Sequence, residues 1–165
     1  MIKIKIIVLL ANDNSGKTTT IKKVIGDLIA KGAKLPVING KCRFKGMRSS
    51  DNLETFLKEG DVSIQLSYLQ KEIGITSVGD SISIIRNKIE FFYENGCDCC
   101  LFAAHLKGSS YDYVQSLEQD KANEVVRVYK ISINSQNKND HKYKILCDLS
   151  DTLAVSEIIS HINNF

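Results

Sequence analysis

Residues 7–25 read IVLLANDNSGKTTTIKKVI. An apolar run ends at Leu10, small and polar residues occupy Ala11 to Gly16, and a lysine follows the glycine at once. Upstream, Ile2 to Leu10 is rich in Ile, Val and Leu, which predicts a strand fully buried toward its end. Downstream, Thr18 to Lys31 carries Ile21, Val24, Ile25, Leu28 and Ile29 at helical spacing and stops at Gly32. The polar stretch is therefore a strand-to-helix turn.

Such a turn suits a phosphate group. An anion is held by converging backbone N–H groups at a helix N-terminus, with one mobile cation beside them. Small residues and Gly16 let the loop curl, Lys17 supplies the cation, and Thr18 supplies a hydroxyl for the magnesium ion that bridges phosphates. The pattern Ala11-Asn12-Asp13-Asn14-Ser15-Gly16-Lys17-Thr18 stands against G-x-x-x-x-G-K-S/T. With its flanking strand and helix, it resembles the Walker A segment of P-loop NTPases, with Ala11 where the first glycine stands. The resemblance implies a nucleotide site built from Ala11 to Thr19, with Lys17 catalytic and Thr18 on Mg²⁺. It also implies an acidic magnesium partner where a neighbouring strand ends. Asp80, closing "IGITSVGD", fills that role by resemblance, as a catalytic and metal-side residue; a helix N-cap is its structural alternative. Asp98 is a poorer candidate, since it opens its strand. "CDCCLFAA" leads into His105-Leu-Lys107-Gly108, which adds His105 and Lys107 as residues on the same edge. Small P-loop proteins of bacteria and their phages have a similar layout, which brings no activity with it.

The rest of the chain sets bounds. Its 165 residues suit one domain, 1–165, and 43% hydrophobic with 25% charged residues is an ordinary globular composition. A net charge of +3 without a basic stripe gives no nucleic-acid signal. Met1 to Leu10 is shorter than the about 20 apolar residues of a membrane span, and it lacks a signal-peptide cleavage pattern. An odd set of five cysteines, three of them in Cys97-Asp-Cys-Cys, reads as reduced, buried thiols in a cytoplasmic protein. Cys97 and Cys99 are expected on one strand face, with Cys100 on the other.

The expected architecture is a three-layer α/β sandwich around a mostly parallel sheet, P-loop NTPase-like, with a β-hairpin insertion around 62–78. "VSIQLSYL" and "IGITSV" form the hairpin, turning at Gln70-Lys71-Glu72. Leu35 to Ile38 is a short strand, and a helix starts at Asp51 with Glu54 in a capping box. Helices follow at Ser81 to Asn95 and Ser110 to Lys121, then the strand "EVVRVYKISI", a hairpin turn "QNKND" and a last strand "YKILCDL". Ser150 caps a C-terminal helix.

Function divides into classes. The first is a Mg²⁺-dependent protein binding ATP, a small NTP hydrolase or kinase-like phosphotransferase, with Arg43, Lys45 and Arg48 available to an acidic or phosphorylated small-molecule acceptor. The second is a GTP-dependent switch, for which Asn137-Lys138-Asn139-Asp140 matches the guanine-reading pattern N-K-x-D. Against it, Asp80 lacks the glycine of D-x-x-G, and few residues remain for a later helix and base-contact loop. The third is a regulatory or assembly protein with slow turnover.

Overall fold

A computed structural model describes residues 4–35, 37–38, 41–42, 57–58, 60–134 and 137–165, the backbone alone at 37–38 and 41–42. Five strands form one sheet in the order β4-β5-β6-β1-β7: β4 (Ser63–Tyr68), β5 (Lys71–Thr76), β6 (Cys99–His105), β1 (Ile4–Ala11) and β7 (Asn123–Tyr129). β1 lies between β6 and β7 and pairs parallel with both, and β5 pairs parallel with β6. Only β4 runs antiparallel within this sheet. Every residue of β1 is buried, as its near-continuous apolar sequence demands.

Helices cover both faces. α1 (Lys17–Ala30) and α4 (His141–Asn163) bring Ile21, Val24, Leu28, Ala154, Ile158 and Ile162 into one core with Ile7 and Leu9. On the other face, α2 (Ile82–Glu94) and α3 (Ser109–Gln119) bring Ile85, Ile89, Phe92 and Val114 against Ile6, Val8 and Leu10. The alternation of β1 side chains between the two cores is the period-2 geometry of a strand.

Several expectations need correction. The hairpin is no insertion: β5 is an interior strand of the main sheet, and β4 is its edge. Its turn is Leu69-Gln70, since Tyr68 pairs with Lys71, and both turn residues have positive φ, 50° and 62°. A two-residue turn of this hand normally asks for Asn or Gly, so nothing in Leu-Gln announced it. Among the described residues, β2 (Val37–Ile38) pairs with β3 (Lys41–Cys42) in a two-stranded ribbon separate from the five-stranded sheet.

"YKILCDL" is helix rather than strand, the first two turns of α4. Asp140 caps that helix by accepting from Lys142 N, so "NKND" enters a helix instead of closing a hairpin. Ile145, Leu149 and Leu153 face solvent there; their apolarity does not signal burial. Ser150 lies inside α4 and donates its hydroxyl to Ile131 O at 2.6 Å. The expected helix from Asp51, Glu54 and the basic residues Arg43, Lys45 and Arg48 lie outside the described residues.

Cys97, Cys99 and Cys100 are free and buried. Cys97 precedes β6, so strand alternation does not govern it, and it packs with Cys100 in the α2–α3 core while Cys99 faces the other. Burial pushes the thiols of Cys97 and Cys99 up to about 12, and that of Cys100 higher still. The thiolate is the reactive form. Iodoacetamide at pH 8 therefore leaves these three unmodified in the native protein and alkylates them after unfolding. Peptide mass spectrometry checks this, and labelling of any of them in the folded chain contradicts it. No helix among the described residues is long and apolar enough to cross a membrane.

Candidate functional site

α1 follows β1 on one face of the sheet and α3 follows β6 on the other, so the chain diverges at the carboxyl ends of β1 and β6. Divergence of this kind opens a crevice at the strand ends of an open α/β sheet. A cleft of about 510 Å³ lies there, lined by Lys17, Thr18, Asp61, Ser77, Asp80 and His105 together with loop residues 13–16. Gly16 and Asn14 hold φ of 76° and 53°, the left-handed turns that curl the loop before α1. Ser15 donates its hydroxyl to Asn12 O at 2.6 Å. Gly16 O then accepts from Thr20 N at 3.0 Å as the first carbonyl of the helix.

Lys17 Nζ donates to Asn12 O at 3.1 Å and lies 3.3 Å from His105 Nδ1. Burial pulls its ammonium below the ordinary lysine value, Asp80 and Asp13 pull back, and Lys130 adds to the lowering. His105 ends β6 between two carboxylates: Nε2 is 2.8 Å from Asp80 Oδ1, and Nδ1 is 2.5 Å from Asp13 Oδ1. Asp80 reaches the ring because Gly79 crosses β6 closely; a Cβ at Gly79 would sit 2.5 Å from Ala103 O. Asp80 thus stands beside His105. Thr18 has a different partner, since its hydroxyl donates to Asp61 Oδ1 at 3.0 Å.

Asp61 escaped the sequence reading. It precedes β4, and only the antiparallel direction of that strand brings its start to the edge where the parallel strands end. Asp98 lies at the far edge, where Oδ2 accepts from Glu72 N at 2.9 Å. Lys107 is exposed on the site edge, just beyond β6.

A second cleft, about 420 Å³, flanks the other side of the loop between Asn12, Lys130, Ser132, Asn134, Lys138 and Tyr143. Beneath it Lys130 Nζ and Asp151 Oδ1 form an ion pair at 2.5 Å, with both side chains under 10% exposed (6% and 8%). Asp151 also accepts from Thr20 Oγ1 at 2.9 Å and Lys23 Nζ at 2.6 Å, while Lys130 donates to Gly16 O at 3.3 Å. A larger groove of about 580 Å³ between α1 and α4 contains neither Lys17 nor Thr18, so volume alone does not mark the site.

Compared with known proteins, the chain matches no family model, no curated protein and no solved structure.

Burial raises the Asp151 carboxyl, but hydrogen bonds from Lys130, Lys23 and Thr20 outweigh it and hold the group below its ordinary value. A depressed carboxyl stabilises the fold fully above its unfolded value near ~3.9, and that contribution is lost as pH falls through the native value. Asp151→Asn strands the Lys130 charge, and we expect a loss of about 3 kcal/mol at pH 7. Urea unfolding at pH 7 and at pH 3 checks this: the gap between wild type and variant narrows in acid. An equal gap at both pH values contradicts the assignment.

Proposed function

We propose that this chain is a P-loop protein that binds a nucleoside triphosphate, ATP in first place, together with Mg²⁺, and acts as a small NTP hydrolase or phosphotransferase. One observation carries the reading. A left-handed glycine, a lysine ammonium and a helix-start hydroxyl meet in one cleft at the diverging ends of β1 and β6. Fold alone does not give chemistry; these groups supply it.

The residues fit a magnesium ion by donor chemistry. Thr18 Oγ1 and Asp61 Oδ1 are hard oxygen donors 3.0 Å apart, the type this ion selects. When bound, Mg²⁺ neutralises charge on the β- and γ-phosphates. The chain itself supplies the rest. Backbone N–H groups after Asn14 and at the start of α1 receive the phosphates. Lys17 exchanges its hydrogen bond to Asn12 O for phosphate oxygens. Asp80 and Asp13 hold the His105 imidazole, one at each ring nitrogen, beside Lys17, whose Nζ lies 3.3 Å from Nδ1.

The smaller cleft, beside the loop, suits the base and ribose. Lys138 on its wall is the observation that favours the GTP reading. Asp140, which that reading needs for guanine, is engaged as the cap of α4, with Lys142 N at 3.0 Å from Oδ1.

Lys17→Ala weakens ATP binding by about 100-fold or more and leaves the circular dichroism spectrum intact. Titration calorimetry tests this, and equal ATP and GTP affinity in wild type and variant rules the site out. Asp140→Ala leaves nucleotide preference unchanged while lowering stability by about 1 kcal/mol through the lost cap. A guanine-selective wild type that loses its selectivity on this change would overturn the ATP reading in favour of the GTP switch.

A further inference from the structure

Parallel strands deliver their last residues to the edge that carries the loop, whereas an antiparallel strand delivers its first. β5 ends in Thr76, and Ser77 follows: small hydroxyl residues where a strand-end acid would be expected. The neighbouring strand supplies the acid instead. Ser77 N donates to Val62 O and Val62 N donates to Ser77 Oγ, each at 2.8 Å, which extends the β4–β5 pairing past Ser63, sets Val62 opposite Ser77 and leaves Asp61 one residue further along, within reach of the Ser77 hydroxyl at 3.0 Å.

From this geometry we infer that the metal-side carboxylate of the cleft is Asp61, presented by the antiparallel edge strand, and that Asp80 is a positioning residue for His105. The inference rests on the Mg²⁺–triphosphate reading above and names the residue that reading requires. Asp61 Oδ1 accepts two hydroxyl hydrogens, from Thr18 at 3.0 Å and from Ser77 at 3.0 Å. Ser77 is buried and its oxygen also accepts from Val62 N, so its hydroxyl is fixed in direction and holds the carboxylate toward Thr18. Asp61 itself remains open to solvent, as an ion arriving with a nucleotide requires. Asp80 is equally open to solvent, but no buried hydroxyl holds it toward Thr18: its Oδ1 contacts the imidazole of the adjacent strand at 2.8 Å.

A carboxylate beside a triphosphate has a recognisable signature. It repels the metal-free nucleotide and favours the metal-bound one, so neutralising it shifts the two affinities in opposite directions. ATP binding to the full chain is measured by calorimetry in EDTA and in Mg²⁺, for wild type, Asp61→Asn, Asp61→Glu and Asp80→Asn. Mn²⁺ electron paramagnetic resonance of the ternary complex gives a second readout. In Asp61→Asn the enhancement by Mg²⁺ falls by about 10- to 100-fold, and binding in EDTA tightens. Asp61→Glu keeps the charge and retains part of the enhancement, which holds the test open if the amide variant folds poorly. Asp80→Asn keeps the enhancement and the Mn²⁺ spectrum of wild type.

Loss of the enhancement in Asp80→Asn with retention in Asp61→Asn overturns the inference, and so does retention in both. A wild type that binds ATP equally in EDTA and Mg²⁺ overturns the inference while the triphosphate reading stands. Absence of ATP binding in wild type overturns both.

Discussion

Lys130 and Asp151 form an ion pair almost out of contact with water, and the loop depends on it. A charge left alone at that depth costs several kcal/mol, so neither partner can leave without the other. Their remaining bonds spread the constraint. Asp151 on α4 takes the Thr20 hydroxyl and the Lys23 ammonium from α1, and Lys130 from the end of β7 donates to Gly16 O. One buried pair thus joins the sheet, two helices and the last peptide of the loop. It also restricts the sequence: a Cβ at Gly16 would approach Lys130 Nζ to 3.1 Å, in a backbone region that already disfavours side chains.

Above that anchor the cleft has two sides with different chemistry. Thr18, Asp61 and Ser77 make a chain of hydrogen-bonded oxygen atoms. Asp13, His105 and Asp80 make a second chain, with the imidazole between two carboxylates. Lys17 stands between them. The spatial separation of the two carboxylates follows from strand order, because β6 lies between β1 and β5 and carries His105 to the point where it meets Asp80.

The local pieces were legible where local chemistry decides them. The apolar run of β1, the small residues of the loop and the 3.6-residue period of α1 each have one physical reading, and α2, β6 and α3 fall within two residues of where periodicity puts them. What the sequence hid was non-local. Asp61 looks like any acid before a strand, and its place in the cleft comes from strand direction alone. Leu69-Gln70 carries no turn signature. Tyr143 to Leu149 alternates like a strand, yet Asp140 caps a helix there, and the outward residues Ile145 and Leu149 stay exposed. A pattern that fits two periods is resolved by packing.

The two-residue turn at Leu69-Gln70 closes the hairpin at the opposite end from the cleft, and Ser63–Thr76 is the sixth pair counted from it. It nevertheless acts as a ruler for the site. Asp61 reaches Thr18 because Tyr68 stands opposite Lys71 and every pair beyond is counted from there. Adding or deleting one residue at the turn would slide β4 by one step and reverse the face of each of its side chains. The acid would then be withdrawn from the cleft while the parallel strands, the loop and the buried Lys130–Asp151 pair stayed as they are. Length at a remote solvent-exposed turn is therefore as much a part of this site as the residues that line it.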